Sequence, residues 1–199
     1  MTMRYGLILA ALLATPAGAN PVAHMTLEAG TVDVELALDK APVTVCNFIR
    51  YAQGGHYDGG VFFRTVLSDQ SPRGIDVIQA RVAAGHDEDK FPPIALERTS
   101  RTGLSHGVGT ISMARDGADT ATSSFFVVLK DSRNLDFGGA RNADGQGFAA
   151  FGHVIRGMDI LEAIQKRPAQ KEQITNPARI LRLRLTGYDA AARAACTAP

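Results

Sequence analysis

Apolar and polar residues alternate over "HMTLEAGTVDVELAL" (residues 24–38). Val32, Val34, Leu36 and Leu38 fall between Asp33, Glu35 and Ala37, and Gly30 marks a turn, so this stretch predicts a hairpin with one buried face. The period then changes. In "KAPVTVCNFIRYAQGG", Val45, Phe48, Ile49 and Ala52 recur at helical spacing. Pro42 suits the first turn, where its missing N–H costs nothing, and Gly54-Gly55 ends the helix. "VFFRTV" (61–66) and "VIQARV" (77–82) read as strands. The polar "LSDQSPRGID" between them reads as a surface excursion. Further strands are expected over 109–114, 124–129 and 149–155, and the strictly alternating "ILRLRLTGY" (180–188) closes the set. "GMDILEAIQK" predicts a second, short amphipathic helix with Ile160, Leu161 and Ile164 on one face.

Two well-separated helices among about eight short strands argue against parallel βαβ units. A mainly β fold follows, a closed antiparallel eight-stranded barrel capped by two α-helices, which also removes exposed strand edges.

The first nineteen residues carry one positive charge, Arg4, then an apolar run, then Ala17-Gly18-Ala19. That layout predicts a secretory signal peptide over 1–19, cleaved after Ala19, because the run is too short to span a bilayer. The remainder, 20–199, suits a single domain, with a C-terminal tail over about 189–199 whose composition would fray unless a bridge tied it down. The expected location is periplasmic or secreted, with no membrane attachment after signal removal. Lys+Arg number 21 and Asp+Glu 20, which implies no nucleic-acid face. The two cysteines, Cys46 and Cys196, either form a bridge, which an oxidising compartment permits, or remain unpaired thiols.

Candidate chemistry narrows by exclusion. The five histidines lack metal-ligand spacing, so no metal is expected. "GLSHG" sets Ser105 beside His106, but no nucleophile elbow occurs, and no glycine-rich phosphate loop is present. One residue stands out: Arg64, charged, within the apolar strand "VFFRTV". By period two it shares a face with Phe62. An arginine there needs a polar partner or a cleft; otherwise it is an edge residue snorkelling to water. Gln79 is the lone amide in "DVIQAR", and Met113 and Phe126 offer an apolar floor. Together they predict a pocket that holds a ring and bonds its amide.

The segments "APVTVCNFIRYAQGGHYDGGVFFR", "VIQ", "GTISMAR", "SSFFVV" and "FAAFGHVIRGMDILEAI" follow one another in the order seen in cyclophilins, the peptidyl-prolyl cis-trans isomerases. The chain resembles that family from about Val32 to Ile164, and it resembles the small exported bacterial branch in particular. The resemblance implies that Arg64 is catalytic and that Phe62, Gln79, Met113, Ala114, Arg115, Ser124, Phe126, Leu135 and Phe148 bind substrate. It implies isomerisation of X–Pro bonds in proline-containing segments of exported proteins, by a monomer needing no cofactor. It also marks departures. Ser124 replaces a glutamine, Ala80-Arg81 replace paired glycines, Arg115 replaces an asparagine and Asn134 replaces an aromatic. Asp76 falls near an expected pocket phenylalanine. These departures leave open an alternative, a proline-peptide binding module with little catalysis.

Overall fold

A computed structural model describes residues 20–69 and 74–197. The expected signal peptide, 1–19, lies outside the described residues. The chain runs β1 (Val22–Leu27), β2 (Gly30–Leu36), α1 (Pro42–Gln53), β3 (Val61–Val66), β4 (Val77–Arg81), α2 (Thr99–Thr102), β5 (Thr110–Met113) and β6 (Phe125–Val128). A 3₁₀ turn (Arg133–Leu135) follows, then β7 (Ala150–Arg156), α3 (Met158–Gln165), β8 (Ala169–Gln170), β9 (Gln173–Thr186) and α4 (Ala190–Thr197).

The strands order as β1-β2-β7-β5-β6-β4-β3-β9, and β1 also pairs with β9, which closes an eight-stranded antiparallel barrel. The two-residue β8 hangs from β9 outside the closed ring. Closure leaves no open edge among the eight.

Helix α1 begins at Pro42, but its N-cap, Ala41, has no side chain to satisfy the first amides. Glu97 does so from 53 residues away: its carboxylate accepts from the N–H of Thr44 at 2.7 Å and of Val43 at 3.1 Å. The helix turns Val45, Phe48, Ile49 and Ala52 inward. Phe48 meets Tyr57, Phe125 and Phe151 at centroid distances of 5.1, 5.5 and 5.3 Å. With Phe62, Ile78, Ile111 and Met113, these rings fill the barrel interior. Helix α3 adds Leu161 and Ile164 to the same cluster.

Both predicted helices are present, and among the described residues two more join them, the four-residue α2 and the eight-residue α4. The C-terminal segment forms α4, started by Asp189, whose carboxylate accepts from the N–H groups of Ala191 and Ala192 at 3.0 Å each. Cys46 of α1 and Cys196 of α4 are joined by a disulfide, with Cα atoms 5.2 Å apart. The last strand starts at Gln173, not at residue 180. Its first half carries Pro177, which obscures the alternation there.

Candidate active site

A second apolar cluster sits outside the barrel. Val66, Ile75, Val77, Phe126, Val128, Leu135 and Phe148 pack together with Ala114 against it. Strand alternation explains why it is separate from the interior. In β6, Phe125 and Val127 point in, while Phe126 and Val128 point out. The outer cluster floors a groove of about 470 Å³. Arg64, Gln79, Ala114, Arg115, Ser124, Phe126, Leu135 and Phe148 all line it. At its other end it is polar, with Glu88, Asp89, Asp116, Thr120 and Thr122.

Two residues expected in this groove are elsewhere. Phe62 and Met113 are fully buried in the barrel interior. Met113 pairs across the sheet with Phe125, and Ser112 with Phe126, so register puts Met113 on the inward face and Ala114 on the outward one. Phe62 and Arg64 do not share a face. The ladders of β3 with both β4 and β9 shift register between Phe62 and Arg64. This β-bulge reverses the period-two parity, so Phe62 points in and Arg64 enters the outer groove.

Arg64 is held on two sides. Its Nη1 donates to Oε1 of Gln79 at 3.0 Å. Its Nε and Nη2 donate to Oε2 of Glu172 at 2.9 and 2.5 Å. Glu172 was invisible to sequence reasoning, since it approaches from 108 residues away. Three of the five guanidinium N–H groups are thereby used, and two remain.

Phe126 has two ring neighbours. Phe148 stands edge-on to it at 5.4 Å, and His106 stacks behind it at 6.1 Å and 18°. His106 Nδ1 lies 2.7 Å from Asp136 Oδ1, and its Nε2 lies 2.9 Å from Ser112 Oγ. The connectivity is that of a hydrolase triad, but His106 and Ser112 are fully buried behind Phe126, out of reach of any substrate. Burial pushes the Asp136 carboxyl up. The His106 hydrogen bond and charge, with Ser105, outweigh this and leave it below the usual range. The triad is a polar prop for the groove floor.

Arg115 lines the groove as part of its frame. It donates to Asp144 Oδ2 at 2.7 Å and to the Gly147 carbonyl at 2.8 Å, and lies 5.1 Å over the Phe148 ring. The Arg115 hydrogen bond, and then the Gln146 N–H, lower the Asp144 pKa to about 2. Gly147 permits this loop: its φ is +68°, and a Cβ there would meet the Phe137 amide nitrogen at 2.6 Å. Asp76 turns away from the groove; it accepts the Ser68 N–H at 2.5 Å, and the adjacent Ile75 supplies the apolar contact.

Among the described residues, no group of three or more His, Cys, Asp or Glu is placed to hold a metal. His56 and His86, far apart in the chain, do meet at 2.9 Å, and burial, with the His86 charge, lowers the His56 pKa.

The family profile described as "Cyclophilin type peptidyl-prolyl cis-trans isomerase/CLD" matches residues 22–185. A peptidyl-prolyl cis-trans isomerase of Acinetobacter baylyi is 31% identical over 170 residues, covering 84% of this chain and 85% of that relative. Peptidyl-prolyl cis-trans isomerase A of Dickeya dadantii is 34% identical over 146 residues, covering 72% of this chain and 71% of its own. A crystal structure of a cyclophilin type isomerase of Cryptosporidium parvum superposes with a TM-score of 0.68 at 18% identity, covering 84% of this chain and 97% of its own. That likeness concerns the fold. A second structure of the same parasite protein was obtained in the presence of the dipeptide Ala-Pro.

Proposed function

The chain belongs to the cyclophilin-type peptidyl-prolyl cis-trans isomerases, and from that premise we propose that Arg64 catalyses the isomerisation of X–Pro bonds held in the outer groove. Rotation about a peptide bond is opposed by amide resonance, with a barrier of about 18–20 kcal/mol. Unaided, an X–Pro bond crosses it in tens to hundreds of seconds. No bond is made or broken, so neither nucleophile nor metal is needed. As the amide twists, its nitrogen loses resonance and gains a lone pair. A fixed cation beside that nitrogen favours the twisted state over the planar one.

Arg64 meets this requirement. It is permanently charged, and Gln79 and Glu172 fix its plane. Two N–H groups are left for the substrate. Phe126, Leu135 and Phe148, with Val66, Ile75 and Val77, form an apolar seat of the right character for a pyrrolidine ring. Holding the ring still while the carbonyl side turns is the substrate-binding role of that floor. Ala114 and Ser124 flank the extended peptide, and Arg115 braces the wall.

The observation that carries this reading is the guanidinium of Arg64 on the same outer face as Phe126. It favours catalysis over a passive proline-binding module, because binding alone needs no fixed cation. Arg64→Ala is expected to keep its fold and lose most turnover in a protease-coupled X–Pro peptide assay. Unchanged turnover would reject the role.

We also propose that the clients are exported polypeptides and that the protein works as a periplasmic or secreted monomer. The leader-like first nineteen residues and the Cys46–Cys196 bond support export. Native protein purified from the exported fraction should elute at monomer size and begin at Asn20. A cytosolic chain that still carries residue 1 contradicts the export reading.

A further inference from the structure

The tip of the β8–β9 hairpin is strained, and the side chain it presents reaches the proposed catalytic arginine. Gln170 pairs with Gln173, so Lys171 and Glu172 form a two-residue turn. Their φ values are +49° and +67°, in the left-handed region where such turns usually carry Asn or Gly. Strain of this kind points to function when its location supplies a contact that a relaxed residue would not. Here a glycine would relax the turn but remove the carboxylate. The Glu172 carbonyl also accepts the Thr65 N–H at 2.8 Å, which fastens the turn to β3 beside Arg64. Gln173 is the register partner of Arg64 itself.

We propose that Glu172 is a positioning residue for the isomerase reaction. Its carboxylate takes the Nε and Nη2 side of Arg64, while Gln79 takes Nη1, so the guanidinium plane has one orientation toward the groove. This rests on the reading of Arg64 as the catalytic group. Two effects of the carboxylate oppose each other. It orders a long flexible side chain, which raises the rate. It also offsets the positive charge, which lowers it. The side chains of Arg64 and Glu172 are 32% and 38% exposed, so water and salt screen the pair and the loss of field is small. Ordering therefore dominates, and removing Glu172 slows catalysis.

Glu172→Gly separates the two roles of this residue. Relaxing the left-handed turn should leave Tm equal to or above that of the parent protein. Turnover should nevertheless fall about tenfold (~1.4 kcal/mol), in kcat, with KM for an X–Pro peptide within about twofold. Glu172→Gln, which keeps an acceptor without the charge, should fall between. Arg64→Ala is run in parallel. If it is inactive while Glu172→Gly has the parent kcat, the positioning role is wrong and the Arg64 assignment stands. If Arg64→Ala is itself active, the catalytic reading falls first. A kcat loss in Glu172→Gly that merely follows a drop in Tm also overturns the proposal, since the turn would then be holding the fold and not the guanidinium.

Discussion

The barrel interior and the outer groove are built from the same strands, often from adjacent residues, yet only one of them borders an open groove. Phe125 points in and meets Phe48, Tyr57 and Phe62 at 5.5, 5.5 and 6.0 Å, each edge-on. Phe126 points out and has Phe148 and His106 as ring neighbours, with groove on its remaining side. Inside, aromatic packing is complete and stabilises the fold. Outside, the floor is packed as well, and only thin strips of Phe126 and Phe148, 5% and 8% exposed, face the groove. Apolar floor with one fixed cation at its side is the arrangement that binds a proline ring and strains its amide.

The sharpest way to break this contrast is to truncate each phenylalanine in turn. Phe125→Ala leaves a closed cavity among rings that cannot collapse, and should cost about 3–5 kcal/mol. At this chain length that is a Tm drop of roughly 10 °C. Phe126→Ala opens onto the groove, where water replaces the lost ring, and should cost about 2 kcal/mol, below the range for closed sites. Its main effect should be on function, a KM for X–Pro peptides raised roughly tenfold, equivalent to ~1.4 kcal/mol of lost ring contact. Thermal melts and steady-state kinetics on both variants check this. Equal stability losses with equal kinetics would mean the two faces are not distinct.

That contrast also shows what the chain discloses by itself. The strands were legible because runs such as "SFFVVL" and "VFFRTV" combine β-branched and aromatic residues between turn signals. Adjacent phenylalanines in a strand must face opposite ways, so one wall of the groove was foreseeable. Which neighbour joins which face depends on pairing register. Met113 was expected beside Phe126, and only the Met113–Phe125 pairing shows it to be interior. Phe62 was misplaced for a different reason. Alternation was extended through Arg64, but the bulge there carries no glycine to announce it. Arg64 reached the groove through the irregularity, not through the parity first assumed.

Long-range partners were the least legible. Glu97 caps α1 and Glu172 holds Arg64, and nothing local distinguishes either from other surface glutamates. The Lys171–Glu172 turn lacks the Asn or Gly that would have revealed a hairpin. Helix α4 does have a local signal. Asp189 before an alanine run is an N-cap followed by strong helix formers.

The smallest expected effect tests whether the groove wall responds to conditions that leave the interior unchanged. Asp144 is more acidic in the folded chain than in an unfolded one, about 2 against 3.8, because Arg115 and the Gln146 N–H favour its charged form. A lowered folded pKa means that the stabilisation is complete above about pH 4. It is lost as pH falls from there through about 2. Protonation frees Arg115 from Asp144, and the segment carrying Gly147 and Phe148 loses one of its anchors. The ring neighbours of Phe125 are Phe48, Tyr57 and Phe62, none of which carries a carboxylate. Amide exchange or NMR line shapes at Gly147 and Phe148 should therefore change between pH 4 and 2 before those at Phe125 and Val127. Asp144→Asn should remove that early acid step. At neutral pH it should raise KM by less than about threefold, because Asp144 is open to water on one side and Arg115 keeps its bonds to the Gly147 carbonyl. Simultaneous loss of protection at Phe148 and Phe125, or an acid response that Asp144→Asn leaves in place, would show that the wall is held by something other than this carboxylate.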